Sequence, residues 1–373
     1  MDIIVLEKNP SRIGGKELSV LDVCRGLSQR GHVIHLIYVE EGDLLEQYQE
    51  FCQSIVKAQS FTIERNKTIT GILNLLYDIF KNYHIRADVI YINQYQDCLF
   101  AYGLALAKNI PLVCHLRNPP PFYLYLRWSL AIKRVNKFIA VSHQTKSDWV
   151  NYGFSEEKIE VVHNGIEPEV FTPCVDLPWL RQKMGINEKN RVIFYAGRLD
   201  KTKGLETLIK GFSLVINSGI DAKLLIAGKP FIQNYDYQES LKKFAVELEV
   251  DSSIEFLGHL DNPVPLYQVS DVTVLPSLDS EPFGRTIIES MACGIPALAS
   301  RTGGIPEILT GVFQAWLFEP GNAQDLSEKL IKIIDWRDRD AELAQRCREH
   351  VIGKFALEKV IDGVEKALMK IIK

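Results

Sequence analysis

Apolar runs of strand length recur along this chain, and they are continuous rather than alternating. In the first half they fall at Ile3–Leu6, Val33–Val39, Val89–Ile92, Leu112–His115, Phe138–Val141 and Ile159–Val162. A strand with one wet face alternates polar and apolar residues. Unbroken apolarity instead predicts strands buried on both faces, in a parallel sheet covered by helices. Helix-length segments lie between the runs, at Glu17–Arg30, Thr68–Tyr83, Asp97–Lys108 and Gln144–Tyr152. Pro168, Pro173 and Pro178 then fall within eleven residues and mark an irregular crossing segment. A second series of apolar runs follows, at Val192–Ala196, Ala222–Ala227, Ile254–Leu257, Val272–Leu275, Pro296–Ala299 and Ala315–Phe318. Helical stretches are expected at Gly204–Asn217, Tyr237–Leu248 and Arg285–Cys293, then at Ala323–Asp335, Asp338–Val351 and Leu357–Ile372. The pattern predicts an α/β chain of two doubly wound domains, 1–168 and 169–355, with a last segment at 356–373. Ligand is expected at the strand C-terminal ends, where the two domains face each other.

Composition narrows the classes. A chain of 373 residues suits two domains of ordinary size. Net charge is only −4 and no long like-charge run occurs, so nothing favours a nucleic-acid partner. Seven cysteines lie scattered with no C-x-x-C spacing, which excludes a zinc ribbon or disulfide framework and fits a reducing cytoplasm. The first apolar run is too short for a signal peptide, and no stretch reaches the roughly eighteen apolar residues of a span. Any membrane association is therefore expected to be peripheral, at the inner face.

Several segments carry chemistry. Glu281 to Glu289 reads E-P-F-G-R-T-I-I-E, with one carboxylate on a loop and the other inside the following helix. Gly284 stands at the junction, where backbone N–H groups can meet an anion. Acid, helix N-terminus and acid suit a ligand laid out as hydroxyl, phosphate, hydroxyl. The alternative is a capping box of Thr286 and Glu289. Arg198 and Lys203 flank a turn after the first strand of the second half, where two cations can neutralise a diphosphate; Lys201 reads as solvated. Leu260 closes Phe256–Leu260, whose backbone can read a base edge. Gly14 and Gly15 follow the first strand: they either let backbone approach a ligand or make a tight turn needing positive φ. They lack the G-x-G-x-x-G of dinucleotide binding, and Lys16 lacks a Walker spacer. His115 is expected at a strand end facing the cleft, where it can donate to a sugar hydroxyl or move a proton. Asp338-Arg339-Asp340 matches an acid-x-acid metal pattern, but its charged helical tract reads as a solvated face. From Pro119 to Lys137 a run of aromatics is flanked by basic residues, a segment open to core packing, acceptor binding or a membrane surface.

Taken together, these residues resemble a retaining glycosyltransferase of family 4, over nearly the whole chain. The most specific part is Glu281–Glu289 followed by Ser290-Met291-Ala292-Cys293-Gly294-Ile295-Pro296. Supporting matches are Gly14-Gly15, Val141-Ser142, His163-Asn164-Gly165-Ile166, Gly197-Arg198 with Lys203-Gly204, and Gly303-Gly304 with Pro306-Glu307. The resemblance implies the GT-B fold of two facing Rossmann-like domains, with the final helix crossing back to the first. It implies a nucleotide-diphosphate sugar as donor and a glycan, lipid-linked or small-molecule acceptor, with no cofactor and no metal. Glu281 would contact the donor sugar's hydroxyls and Glu289 the ribose. Backbone at Phe283 and Gly284 would meet sugar and phosphate, Arg198 and Lys203 would hold the diphosphate, and Gly14 and Gly15 would border the diphosphate or the acceptor. His115 matches the family's active-site histidine, although the Asp that commonly follows is here Leu116. A sugar-nucleotide 2-epimerase, a sugar phosphorylase and a non-catalytic nucleotide-sugar-binding subunit are the competing readings. They are separated by conversion of donor alone, by a phosphate requirement and by binding without turnover.

Overall fold

The computed structural model describes residues 1–12, 14–63, 68–124, 126–187, 189–230 and 235–372. Ile13, which precedes the Gly14-Gly15 pair, and Tyr125, within the aromatic and basic segment, lie outside these, as do the side chains of Leu126 and Arg127. The chain divides into two compact units, Met1–Gly165 with Leu357–Lys373, and Ile166–Ala356.

The first unit holds β1 (Asp2–Glu7), α1 (Gly15–Gln29), β2 (Val33–Tyr38), α2 (Leu45–Gln49), β3 (Ser54–Lys57), α3 (Thr68–Lys81) and β4 (Val89–Ile92). It continues through α4 (Cys98–Lys108), β5 (Leu112–Leu116), α5 (Leu126–Ile132), β6 (Lys137–Ala140), α6 (His143–Asn151) and β7 (Ile159–Val161). All its strand pairs are parallel, in the order β3-β2-β1-β4-β5-β6-β7. The continuous apolar runs are explained by cover on both faces. Ile4 and Leu6 join the layer under α4 and α5, whereas Ile3 and Val5 join the layer under α1 and the chain's last helix. Side chains two apart share a face, so both registers of each strand must be apolar.

The second unit holds α7 (Leu177–Lys183), β8 (Arg191–Ala196), α8 (Leu205–Asn217), β9 (Ala222–Ala227), α9 (Tyr235–Glu247), β10 (Ile254–Gly258), α10 (Val264–Val269) and β11 (Val272–Leu275). Then come α11 (Arg285–Ala292), β12 (Ala297–Ser300), α12 (Ile305–Ile308), β13 (Leu317–Phe318), α13 (Ala323–Ile333), α14 (Trp336–Arg339) and α15 (Leu343–Phe355). Its parallel strands run in the order β10-β9-β8-β11-β12-β13. The helix expected at Asp338–Val351 is broken: α14 ends at Arg339, and Asp340 turns to bind the Arg346 guanidinium. Asp338 pairs with Arg191 at 2.5 Å, so arginines occupy both carboxylates of the acid-x-acid pattern.

The last helix, α16 (Leu357–Met369), packs in the first unit. Val360, Ile361, Val364, Ala367 and Leu368 are buried there against α1. A Cβ on Gly26 of α1 would overlap Ile361, which is why the two helices approach so closely at a glycine. Arg30 beside them binds Glu358, Asp362 and Glu365 together. All seven cysteines are free thiols. No helix among the described residues is long and apolar enough to cross a membrane.

Candidate active site

In the second unit the chain leaves β8 for β9 on one side and β11 for β12 on the other, so β8 and β11 flank the point where strand order reverses. Loops diverge there and leave a crevice at the strand C-terminal ends. The loop after β8 is shaped by its own bonds: Tyr195 donates its hydroxyl to the Arg198 carbonyl at 2.7 Å, and the Asp200 carboxylate accepts from Thr202 N. Gly204 closes the loop at φ 68°, in the left-handed region, and any Cβ there would overlap the Pro276 carbonyl. Only glycine combines that backbone with that approach. The loop is thereby seated on the one following β11, with Leu278 N donating to Thr202 O at 2.8 Å.

This seating brings Lys203 to Glu281. The ammonium meets Glu281 Oε2 at 2.5 Å, the Ser277 hydroxyl donates to the same oxygen at 3.0 Å, and both charged side chains are only 16% exposed. A third loop fixes the Glu281 backbone from the far side. Gly304 N donates to its carbonyl at 2.8 Å, and Gly303, at φ 57°, lies so close that a Cβ would overlap it. Glu281 is thus held by the loops after β8, β11 and β12. Arg198 is exposed on the first of them.

Helix α11 begins beside Glu281. Its N-cap is Gly284 at φ 101°, with no side-chain cap, so the positive helix end presents backbone alone. The capping box is not formed: Glu289 lies five residues beyond the cap, too far along to reach it. Its carboxylate instead takes the Tyr267 hydroxyl at 2.8 Å and Arg285 Nε at 2.8 Å. Burial and that carboxylate push the Tyr267 phenol well above its ordinary range, so the tyrosine is a permanent donor to Glu289. The Phe283 ring packs on Phe355 with centroids 5.5 Å apart and is buried. Leu260 stands apart, half-buried just beyond β10 at the sheet's edge.

The first unit carries a different assembly, also where strand order reverses, between β1 and β4. Gly14 has φ −169°, which is extended backbone open to any residue, so a positive-φ turn is not its purpose. A Cβ there would stand 3.5 Å from Glu17 Oε2, in ordinary contact. His115 is not at a strand end: it is the fourth residue of β5 and has no exposed surface. Its Nδ1 meets the Tyr91 hydroxyl at 2.6 Å, and burial with the nearby Arg117 charge holds its pKa well below the ordinary value. The ring is a neutral imidazole beneath the site rather than a group facing solvent. Two residues on, Arg117 stands just past the end of β5.

Arg117 organises residues that motif reading passed over. Its Nε donates to Asn93 Oδ1, and its Nη1 to Ser19 Oγ at 2.9 Å and Asn164 Oδ1 at 2.8 Å. Asn93 Nδ2 reaches Glu7 Oε2 at 2.9 Å. Desolvation, with Glu17 and Asp97 nearby, lifts Glu7 to a pKa of about 8, and burial lifts Asp97 to about 7. Lys16 bridges Glu17 at 3.2 Å and Gln94 at 3.1 Å. Arg117 Nη2, Glu17 Oε2 and His115 Nε2 are buried without a hydrogen-bond partner. A buried polar atom left unpaired is costly, so these atoms are candidates to receive a ligand's groups. Glu7, Asn93 and Arg117 each follow a strand core by one or two residues. The strand-end rule that singled out His115 finds them when applied to every strand.

Two family models match the chain in succession, one described as Glycosyltransferase Family 4 over residues 13–170 and one as Glycosyl transferases group 1 over 178–351. The fold is that of GT-B glycosyltransferases. Anabaena HepE, solved with UDP and glucose, superposes with a TM-score of 0.85 at 22% identity, covering 99% of both chains. Sucrose-phosphate synthase from Thermosynechococcus elongatus superposes at 0.82 and 18% identity, over 99% of this chain and 98% of that one. Among similar sequences, an N-acetyl-alpha-D-glucosaminyl L-malate synthase of Bacillus anthracis is 27% identical over 63% of this chain and 59% of its own length. An uncharacterized glycosyltransferase of Methanocaldococcus jannaschii is 25% identical over 96% of this chain and 95% of its own. The chain belongs to glycosyltransferase family 4.

Proposed function

We propose that the protein is a retaining, metal-independent glycosyltransferase that moves a sugar from a nucleotide-diphosphate sugar to an acceptor hydroxyl. The observation that carries this reading is Glu281, fixed by three loops, paired with Lys203 and set beside the bare N-terminus of α11. Breaking the bond from sugar to diphosphate builds negative charge on the leaving group and oxocarbenium character on the sugar. Arg198, Lys203 and the α11 end are cations and dipoles placed where that charge develops. When the diphosphate arrives, Lys203 turns from Glu281 to the phosphate, and Glu281 is left to accept hydrogen bonds from the sugar's hydroxyls. Glu289, held by Tyr267 and Arg285, would accept from the ribose, and Leu260 is assigned to the nucleoside. No side chain of the group stands out as a covalent nucleophile, so attack on the same face as departure is the working mechanism.

The acceptor, a glycan, a lipid-linked sugar or a small molecule, is assigned to the first unit. It would meet the Gly14-Gly15 backbone, Arg117 and Glu17, with buried His115 acting as a positioning residue beneath Arg117. The likeness to HepE makes UDP-sugars the first donors to test. In a thermal-shift panel of nucleotide-sugars the true donor raises the melting temperature in proportion to the logarithm of its concentration. With that donor, nucleoside diphosphate release should depend on added acceptor. Glu281→Gln and Arg198→Ala should each cost about 100-fold or more in kcat with the fold intact. Full activity in either variant overturns the assignment, and conversion of donor with no acceptor present favours an epimerase.

A further inference from the structure

Helix α3 turns its apolar stripe outward. Ile69, Ile72, Leu73, Leu76, Tyr77 and Phe80 follow the i, i+3, i+4, i+7 spacing of one helix face, and they are 76%, 43%, 60%, 55%, 57% and 81% exposed. The flank that carries Leu75 and Ile79 packs on the core. Together the six expose on the order of several hundred Å², an area that marks an interaction surface rather than scattered apolar residues. The neighbouring helices extend it. Gly103 of α4 lies against Ile79, where a Cβ would overlap, so α4 sits directly beside α3. Leu106 of α4 and Leu130 of α5 are also exposed, at 68% and 62%.

Charge selects the occupant. Residues 68–137, which run from α3 to just past α5, contain eight Lys or Arg and three acids in a chain whose net charge is −4, and of the eight Arg117 is buried. Two of the three acids, Asp78 and Asp97, are buried. Lys81, next to Phe80 on α3 itself, and Lys133 and Arg134, which follow α5, are exposed. Phe122 and Tyr123, 88% and 73% exposed, continue the aromatic content beyond α4. An apolar face carrying Tyr and Phe, edged by cations and short of exposed carboxylates, is complementary to the interface of an anionic bilayer. A second copy of the same face would set cation against cation. We infer that α3, with the flanking surface of α4 and α5, docks the protein on an anionic lipid surface, with the helix lying in the headgroup plane.

This inference goes beyond the transferase reading and is tested without donor or acceptor. The full-length protein is floated with vesicles of phosphatidylcholine alone and with vesicles in which a third of the lipid is phosphatidylglycerol. Wild type should float with the anionic vesicles only, and added salt should release it. Leu73→Glu with Phe80→Glu, and separately Lys133→Glu with Arg134→Glu, should each lower partitioning by about tenfold or more. The substituted side chains are exposed, so melting should shift by no more than about 2 °C. Failure of wild type to float, or unchanged flotation of both variants, overturns the inference. So does a dimer in sedimentation that the Leu73 and Phe80 pair dissociates, because the face then belongs to a second copy.

Discussion

Glu7 gives the buried network of the first unit a measurable signature. Its carboxyl has an ordinary pKa near 4.5 in the unfolded chain and about 8 in the folded one, with desolvation as the largest cause. The folded state therefore keeps a proton that the unfolded state releases as pH rises above 4.5. Stability from this group is complete below 4.5, falls through the interval, and is fully lost above 8. At about 1.4 kcal/mol per pH unit the interval amounts to on the order of 4–5 kcal/mol. Glu7→Gln removes the titration yet keeps an oxygen to accept from Asn93. Wild type and variant should then match near pH 4.5, and the variant should be the more stable by a few kcal/mol at pH 9. Hydrogen exchange of the slowest β1 and β4 amides, read across that range, isolates the first unit, and other titrating groups cancel in the difference. The reverse result is informative. If Glu7→Gln is less stable than wild type at pH 9, Glu7 is ionised and serves Arg117 or Lys16 as a counter-charge, and the neutral-acid account fails.

Two further outcomes follow from packing. Ile361→Ala should cost about 2–5 kcal/mol by opening a cavity between α16 and α1, with exchange protection falling in β1 and β2; loss confined to residues 166–356 would contradict the packing. Gly303→Ala and Gly311→Ala both place alanine at positive φ, 57° and 63°, at about 1–2 kcal/mol each, but only at Gly303 would the Cβ overlap the Glu281 backbone. Donor-induced thermal shift should be lost in the first and kept in the second; equal retention would mean that the Gly303 contact does not set the Glu281 position.

The sheets were legible because burial on both faces writes itself as unbroken apolar runs. What escaped was short or partly wet. Strand β3 has only Ile55 and Val56 as apolar residues, and α7 has a proline in its first turn, which reads as a breaker although that position favours helix starts. In the second unit, spacing named both Lys203 and Glu281, which the structure brings into contact across 78 residues of sequence. In the first unit the bonds that matter join Glu7 to Asn93, 86 residues away, and Arg117 to Ser19, 98 away. No periodicity records such pairs, because each residue alone looks like an ordinary polar strand end. The exposed stripe of α3 was hidden for the opposite reason. A 3.6-residue apolar period predicts the helix but is silent on whether its apolar side faces the core.

The two half-sites also differ in how they balance charge. In the second unit a carboxylate and an ammonium neutralise each other at a partly exposed position, and each bond to Glu281 is charge-assisted, worth about 1.5–3 kcal/mol. A phosphate can replace Glu281 as the partner of Lys203 at little net cost, since one charge-assisted bond is exchanged for another. The sugar's hydroxyls then satisfy the oxygen that Lys203 leaves. A ligand carrying phosphate alone would free Lys203 but strand a half-buried carboxylate, and one carrying hydroxyls alone would find Glu281 already engaged. The pairing therefore favours ligands that present both groups together, which is the layout of an intact sugar diphosphate rather than of either part. In the first unit the balance is struck by a proton held on Glu7, because among the described residues no cation is bonded to that carboxylate: Arg117 contacts it only through Asn93, and the Lys16 charge does not offset its burial. Ligand binding in the second unit should accordingly respond to ionic ligands, and ligand binding in the first unit to pH.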